Sequence, residues 1–341
     1  MGENLWARKG LIVAIAREYT AILFRVETGA LGAMMEQEIR EQPHRLTEAA
    51  GAMESALRAM PFGDYKQIVL VARGSSDNAA LYFRYLAEVF LGIPAILAAP
   101  SVATVYGREV RYEDALCVAI SQSGESPDVR AIVEQMRRQG HATLAVTNSV
   151  DSPLAGEAEF HLELGAGPEL SIAATKTYTA SLLAAYAIVR RLGADLPDAE
   201  LPTAEWLSHC EAAAESAINA VTEAEVVVAL ARGFSFSTAQ ETALKLIECA
   251  RIPCKSYSTA DFAHGPRAIA GPETTAIVFG DVPAGLGDTG CQLIRPPDAG
   301  SGPDAPIREI VFSQSLALLA ARSKGIDPDF APNLSKVTRT Y

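Results

Sequence analysis

The chain has 341 residues, a formal net charge of −12, and hydrophobic residues at 49% of its length. The length favours two domains around a real core. The negative charge and the lack of a Lys/Arg-rich tract disfavour non-specific nucleic-acid binding, which needs a basic surface, and no nucleic-acid partner is predicted. The five cysteines are scattered without a Cys-x-x-Cys pair. We therefore expect no disulfide framework, no zinc site and a reducing, cytoplasmic compartment.

Residues 1–34 form an N-terminal extension that looks foreign to the rest of the chain. Its apolar run, 10–24, is interrupted by Arg17 and Glu18 and is too short and too charged for a membrane span. It also lacks a small-residue cleavage site. We interpret it as an appended or mis-started segment. The alternative is an amphipathic helix on a lipid surface, although no membrane partner is predicted for the chain.

Helical and apolar segments alternate through the first half. Helices are predicted at 43–60, 76–91, 101–106, 129–139 and 173–192, and strands at 68–72, 95–99, 115–120, 142–147 and 160–164. This alternation is typical of parallel βαβ units. The sequence predicts an α/β domain over 35–195 and a linker at 193–202 that carries Pro197 and Pro202.

The most informative turn follows the predicted strand 115–120 and precedes a helix. It reads Ser121-Gln122-Ser123-Gly124-Glu125-Ser126-Pro127-Asp128. Free N–H groups at a helix N-terminus, with three hydroxyls and an amide beside them, suit a phosphate. The turn lacks the glycine patterns of nucleotide sites. It therefore favours a phosphorylated small molecule, and an ordinary helix cap with a chance serine cluster is the alternative.

A second α/β domain is predicted over 203–325, followed by a tail at 326–341. Its helices are expected at 204–220, 238–250 and 307–324, and its strands at 226–231, 254–257 and 275–279. Between Phe279 and an apolar run at 291–294 no crossover helix is credible, although a parallel connection normally carries one. Either the helix is lost or the sheet ends irregularly.

The two halves share an internal echo. Residues 72–80 and 231–239 both read Ala-Arg-Gly-x-Ser-x-x-x-Ala, and both stand between an apolar strand and a helix. The shared position favours a duplication. Because ligands bind at the carboxyl ends of parallel strands, these turns belong to the edge where a site is expected.

The helix after the second glycine turn carries a charged face. Glu241, Lys245 and Glu248 are four and three residues apart and share one side. The opposite, apolar stripe is expected at Ala243, Leu246, Ile247 and Ala250. The charged face is either solvated or a proton shuttle in a cleft.

Three further polar residues have a structural or solvent-exposed role as their simplest interpretation, and for His264 a chemical role is also open. His264 ends a turn before Gly265-Pro266 and is either structural or a proton-exchanging imidazole beside the carboxylates. Glu169 precedes the long helix and suits a capping role. Lys336 lies in the tail, where a solvated lysine is the default.

These motifs together resemble the sugar isomerase (SIS) family, most closely the isomerase half of glucosamine-6-phosphate synthase and stand-alone glucosamine-6-phosphate deaminases. The matching segments are Glu38-Ile39-x-Glu41-Gln42-Pro43, Gly74-Ser75-Ser76, Ser121 to Glu125, Glu169 with Ala173-x-Thr175-Lys176, Glu241 to Glu248, His264-Gly265-Pro266 and Asn333-Leu334-x-Lys336. The resemblance implies two SIS domains, each a parallel sheet flanked by helices in a flavodoxin-like, three-layer α/β/α arrangement. It also implies a bound hexose 6-phosphate.

The resemblance implies a substrate-binding set. The residues that match the family's phosphate turn are Ser121, Gln122, Ser123 and Ser126. Ser75 and Ser76 match residues that touch the sugar, and Ile172 and Ala174 complete the set. Ala174 stands where the family often has serine, which leaves the identity of the sugar open.

The resemblance also implies four catalytic residues. Glu248 matches the carboxylate that moves a proton between C1 and C2, and Lys245 matches a lysine that supports this step. His264 matches a ring-opening histidine that comes from a neighbouring subunit, which implies a homodimer with a shared site. Lys336 matches a tail lysine that approaches the open-chain sugar. No metal and no cofactor are implied.

The synthase's glutamine-hydrolysing domain has no counterpart among the residues before the match. The expected activity is therefore the reverse direction, deamination of glucosamine 6-phosphate to fructose 6-phosphate and ammonia. Two alternatives stay open: an isomerase or deglycase for another amino-sugar phosphate, and a non-catalytic sugar-phosphate sensor. The shortened second half would also fit an inactive variant.

Overall fold

Residues 29–336 are described in the computed structural model, and they form two parallel sheets, each flanked by helices. The predicted α/β fold class is confirmed. Residues 1–28 of the predicted N-terminal extension, and residues 337–341 of the predicted tail, lie outside the described range. Among the described residues, no helix is long and apolar enough to cross a membrane.

The first half contains a five-stranded sheet. Its elements are α1 (Ala33–Arg40), α2 (Gln42–Ala59), β1 (Gln67–Val71), α3 (Ser75–Leu86), a π-helical turn (Ala87–Leu91), β2 (Ala95–Leu97), α4 (Ser101–Thr104), β3 (Ala115–Ile120), α5 (Pro127–Arg138), β4 (Ala142–Thr147), α6 (Pro153–Glu157), β5 (Phe160–Glu163) and α7 (Lys176–Arg191). The strand order is β2-β1-β3-β4-β5, with every neighbouring pair parallel.

The second half contains a four-stranded sheet. Its elements are α8 (Ala204–Thr222), β6 (Val226–Ala231), a 3-10 turn (Gly233–Ser235), α9 (Phe236–Ala250), β7 (Cys254–Ser258), α10 (Thr259–Ala263), a 3-10 turn (Pro266–Ile269), β8 (Thr274–Val278), a 3-10 turn (Gly287–Thr289), β9 (Gln292–Ile294) and α11 (Ala305–Ser323). Its order, β7-β6-β8-β9, repeats that of the first four strands and agrees with the predicted duplication.

Strand periodicity explains the layers of the first half. Successive side chains of a strand point to opposite faces. Ile68 and Leu70 therefore enter the core beneath α2, α3 and α7, whereas Val69 and Val71 pack on the opposite side with α5. Both faces of β1 and β3 are covered, which is why these strands are continuous apolar runs without polar alternation.

The second sheet is covered unequally. Val227, Ala229 and Ile277 pack with α8, α9 and α11 on one face. On the other face, Val228 and Leu230 are covered by short segments, among them Phe262 of α10 and Leu286. β9 pairs in parallel with β8 although only a 3-10 turn separates them among the described residues. The first alternative is therefore right: the crossover helix is lost and the sheet continues.

Helix α1 joins the two ends of the described chain. It packs against α11, and its Met35 and Ile39 belong to the core of the second half. The carboxylate of Asp329 accepts hydrogen bonds from Met34 N at 2.8 Å and Met35 N at 3.0 Å, so it caps the N-terminus of α1. The base of the tail is thus fixed to the first helix, while the domain limits at 195 and 203 stay a proposal.

The structure differs from the sequence prediction at several elements, among them the helices α1 and α10, which were not predicted. The short helix α6 was missed; it begins after Ser152, whose Oγ accepts from Ala155 N at 3.3 Å, with Pro153 at the first helical position. The long helix expected from residue 173 begins at Lys176. The preceding residues form a loop because their amides and hydroxyls bind the side chains of Glu38 and Glu169 instead.

Candidate active site

The phosphate-type turn lies between β3 and α5, as the sequence predicts. Gly124 has a φ of +64°, and a Cβ there would lie 2.3 Å from Ser152 Oγ, so the close approach requires glycine. Gly124 N and Glu125 N donate to the hydroxyls of Ser121 and Ser123 at 3.2 and 3.3 Å. Because these hydroxyls accept from the turn itself, their own hydrogens remain available for an outside acceptor such as a phosphate oxygen.

This turn opens into a cavity of about 380 Å³, a size usual for small-molecule sites. All eight residues predicted to bind substrate line it: Ser75, Ser76, Ser121, Gln122, Ser123, Ser126, Ile172 and Ala174. Of the four predicted catalytic residues, Glu248 and Lys336 line it. The N-termini of α3 and α5 border the same space, and their dipoles favour a negatively charged group there.

Glu248 reaches the cavity from α9 beside a buried ion cluster. Lys245 Nζ donates to Glu248 Oε2 at 2.5 Å and lies 3.3 Å from Glu241 Oε1. Lys245 and Glu241 are fully buried, whereas the Glu248 side chain is 24% exposed. Lys245 does not line the cavity and is connected to it by its contact with Glu248.

The cluster corrects one expectation of the sequence analysis. The charged face of α9 is buried, so the solvated alternative is wrong, and Ile247, assigned to the apolar stripe, is 47% exposed. The cause is α3, which packs on α9 and whose Asn78 Nδ2 donates to Glu241 Oε2 at 2.7 Å. The charged side of α9 is therefore the side that faces α3 of the first half.

Burial and charge act in opposite directions on the pKa values of the cluster. Burial lowers the pKa of Lys245, but the carboxylates of Glu241 and Glu248 outweigh it and raise the pKa above its usual value. Burial raises the pKa of Glu241, with Lys245 opposing. Lys245 therefore stays an ammonium ion at any physiological pH, fixed against the exposed carboxylate.

The loop before α7 brings Lys336 into the cavity wall. Lys336 Nζ donates to Glu169 Oε2 at 2.7 Å and to the Ser171 carbonyl at 2.8 Å. Glu169 also accepts from Thr175 N and Thr177 N, both at 3.0 Å, so its predicted capping position at α7 is confirmed. Burial alone would raise the pKa of Glu169, but Lys336 and the Thr177 donors lower it to about 2.

A second carboxylate, Glu38 of α1, holds the same loop from behind. It accepts hydrogen bonds from Leu170 N, Ser171 N and Ser171 Oγ. Burial and the nearby charge of Glu169 raise the pKa of Glu38 to about 7. Ile172 and Ala174 therefore reach the cavity from a loop that is anchored by two buried glutamates.

The other glycine turn forms no comparable site. Ser235 is the counterpart of Ser76 in the internal echo, and its Oγ donates to Glu309 Oε1 at 2.8 Å. Thr238 Oγ1 donates to Glu309 Oε2 at 2.8 Å. A carboxylate of α11 thus fills the place where the first turn faces the cavity, and Phe234 stacks on Phe90 at 5.9 Å instead of presenting a hydroxyl.

His264 stands apart from the cavity in this chain. It lies exposed at the end of α10 and is not among the cavity residues. The sequence analysis expects this histidine to serve a neighbouring subunit, which stays a proposal. Within residues 29–336, no cluster of three His, Cys, Asp or Glu residues could hold a metal ion.

Several cavity residues were missed from the sequence. These are Arg73, Thr177, Tyr178, Ser181, Leu334 and Ser335. The hydroxyls of Thr177 and Ser181 stand four residues apart in an otherwise apolar helix, and that spacing was the available signal. Arg73 belongs to the repeated Ala-Arg-Gly turn, but the repeat itself carries no sign of which copy faces a ligand.

A family search matches residues 62–191 to the model of the SIS domain. Among curated proteins, the glutamine–fructose-6-phosphate aminotransferases (isomerising) of Aquifex aeolicus and Zymomonas mobilis are 30% and 33% identical to the chain. The alignments cover 75% and 74% of this chain and 45% of each relative. The chain thus spans about half the length of the curated relatives it matches.

Two solved structures of sugar-phosphate proteins are also similar to this chain. A proposed phosphosugar isomerase from Silicibacter pomeroyi is 30% identical, with a TM-score of 0.73 over 86% of this chain and 99% of that one. Glucosamine-6-phosphate deaminase from Thermotoga maritima has a TM-score of 0.76 over 90% of this chain and 100% of that one. At 22% identity, this second likeness concerns the fold.

Proposed function

The chain belongs to the SIS domain family, and from that premise we propose that it is a sugar-phosphate isomerase that deaminates glucosamine 6-phosphate to fructose 6-phosphate and ammonia. One observation carries the proposal. The partly exposed carboxylate of Glu248, fixed by a buried lysine, lies in the same cavity as a hydroxyl-rich turn suited to a phosphate. A phosphate held at the turn would place the sugar carbons along the cavity toward Glu248.

The chemistry that we propose for Glu248 is a proton transfer between neighbouring carbons. In the open-chain aldehyde, Glu248 removes the C2 proton, and the electron pair of the C2–H bond forms a C1=C2 double bond as the C1 oxygen takes up a proton. Return of the proton from Glu248 to C1 leaves an imine at C2. Water adds to the imine, ammonia leaves, and fructose 6-phosphate remains, so C1 is reduced and C2 oxidised without an outside oxidant.

The neighbouring cations suit the charge that develops in this reaction. Lys245 holds the Glu248 carboxylate in one orientation, which a base needs before it removes a proton. Negative charge develops on the C1 oxygen until that oxygen takes up its proton, and Lys336 lies in the cavity wall to stabilise this charge. Both roles rest on the resemblance together with the positions of these groups.

We assign ring opening to His264 of a second subunit, as the family resemblance implies. In this chain, the exposed imidazole at the end of α10 is free to enter a partner's cavity, while the chain's own cavity lacks an imidazole among its described wall residues. The proposal therefore includes a homodimer whose sites are shared.

Deamination is the direction that we propose, because it needs only the amino-sugar phosphate and water from solvent. The second candidate is an isomerase or deglycase for another amino-sugar phosphate, and Ala174 is the residue that supports it. A methyl group there leaves one hydroxyl fewer toward the sugar than the serine that the family often has. A pure sensor would not need the buried ion cluster behind Glu248.

The test is a coupled assay of purified protein with glucosamine 6-phosphate, in which ammonia and fructose 6-phosphate are both measured. The proposal expects equal amounts of both products. Ammonia release from another amino-sugar phosphate alone would support the second candidate. Binding of sugar phosphates without release from any of them would overturn the catalytic proposal in favour of a sensor.

A further inference from the structure

Arg73 is a cavity residue that the assigned site does not use. It lies two residues after the end of β1, stands before Gly74, and lines the same cavity as the 121–126 turn. Its side chain is 44% exposed. The residue at this position of the turn projects from the carboxyl end of a central strand, where ligands bind in parallel sheets.

The guanidinium of Arg73 is held beside the phosphate-type turn by one carboxylate. Arg73 Nε lies 3.1 Å and Nη2 2.7 Å from Asp128 Oδ2. Asp128 stands in the first turn of α5, two residues after Ser126, and its side chain is 7% exposed. The buried Asp128 therefore fixes the Arg73 guanidinium beside the helix that begins at the end of the 121–126 turn.

The guanidinium keeps donors for a ligand. Arginine has five N–H donors, and two of them go to Asp128. Within the described range, no other residue accepts a hydrogen bond from Arg73, so three donors, including both on Nη1, remain for a ligand. A planar guanidinium with two free parallel donors matches phosphate geometry.

The charge of Asp128 near the phosphate-type turn explains why an arginine is paired with it. A carboxylate two residues from Ser126 would repel a phosphate dianion if it stood alone. Arg73 offsets the charge of Asp128. The alternative is that the ion pair only links α5 to the turn after β1, a role for which Arg73 would not need to line the cavity.

We propose that Arg73 is a specificity-determining residue that binds the substrate's phosphoryl group together with the 121–126 turn, and that Asp128 is the residue that positions it. The inference rests on the proposed function, since it assumes a phosphorylated sugar in this cavity. It adds a cationic ligand to a site that is otherwise built from hydroxyls, an amide and backbone N–H groups.

The experiment is calorimetric titration of the full chain with fructose 6-phosphate and with inorganic phosphate, for wild type, Arg73→Met and Arg73→Lys. We expect about 10- to 100-fold weaker binding of both probes by Arg73→Met, the range of a charge-assisted hydrogen bond, and a smaller loss for Arg73→Lys. Arg84→Met on α3, an exposed arginine paired with Glu88, is the matched control and should bind as wild type does.

Asp128→Ala tests the positioning role. It should weaken binding several-fold in the wild-type background but cause no further loss in Arg73→Met. Equal binding by wild type and Arg73→Met overturns the inference and leaves the proposed function standing. If wild type binds neither probe, the phosphate site itself is refuted, and the inference falls with it.

Discussion

Lys336 Nζ lies 2.7 Å from Glu169 Oε2, and this contact joins the end of the described chain to the N-terminus of α7. The two residues are 167 positions apart in sequence. The lysine side chain is 8% exposed and the glutamate is fully buried. The tail is therefore part of the cavity wall, and its lysine is held by a counter-charge rather than by the solvent that the sequence suggested.

Lys336→Met tests whether this lysine acts on the reaction or only on the fold. We expect kcat to fall by about 100-fold, because a cation aimed at developing negative charge is lost. Thermal stability should also fall, because the buried Glu169 loses its cation and keeps only its Thr175 and Thr177 donors. Lys324→Met, at the exposed end of α11, is the control. A kcat that stays at the wild-type value in the folded variant would contradict the catalytic role.

Removal of Lys245 should destabilise the protein. Lys245→Met leaves Glu241 buried without its cation, which costs about 3 to 5 kcal/mol of unfolding free energy. Glu241→Gln in the same chain should recover part of that stability, because it removes the uncompensated charge, but activity should stay lost. Urea unfolding and the coupled assay measure the two effects. Recovery of activity in the double variant would refute the orienting role of Lys245.

Glu38 makes stability depend on pH in a stated direction. Its pKa is raised from 4.5 to about 7 in the folded chain, so the fold prefers the protonated carboxyl. This stabilisation is complete below about pH 4.5 and is lost as the pH rises through 7. Glutamine mimics the protonated form: its carbonyl oxygen can accept from Leu170 N and Ser171 N, and its amide can donate to Ser171 Oγ.

Glu38→Gln should therefore match the wild type in thermal unfolding at pH 5 and exceed it at pH 8, by an unfolding free energy on the order of 1 to 3 kcal/mol. Unfolding curves between these pH values measure the effect. Glu54→Gln, on the exposed side of α2, should leave the pH dependence unchanged. A Glu38→Gln curve parallel to the wild type at all pH values would contradict the raised pKa.

A shared site can be tested by mixing two inactive variants. His264→Asn and Glu248→Gln chains are unfolded together, refolded and assayed. If each cavity combines Glu248 of one subunit with His264 of the other, about half of the dimers are mixed and each has one complete site, which returns about a quarter of wild-type activity. If both residues act within one chain, no mixed dimer has a complete site, and activity stays absent.

The fold and the binding half of the site could be predicted because their signals are local. β3 is a continuous apolar run, and the serine turn and helix α5 follow it directly in sequence. The substrate-binding residues share the carboxyl edge of one sheet, and parallel topology brings that edge together. The lost crossover after β8 was also visible, because glycines and prolines occupy the place of a helix.

Contacts between distant segments could not be predicted. The buried face of α9 depends on Asn78 of α3, and the position of Lys336 depends on Glu169. The start of α7 shifted to Lys176 because Glu38, more than 130 residues away, binds the loop before it. Local periodicity placed Ile247 in the core, but the packing of α3 decides which side of α9 is covered.

The most direct test of proton transfer by Glu248 is the conversion of glucosamine 6-phosphate in deuterated water, followed by NMR, for the wild type and for Glu248→Gln. We expect the wild type to form fructose 6-phosphate and ammonia in equal amounts, with either deuterium from solvent or the transferred proton at C1. Glu248→Gln should form neither product while it binds fructose 6-phosphate within about tenfold of the wild type. Turnover by Glu248→Gln at the wild-type rate would contradict the assignment of the proton to Glu248.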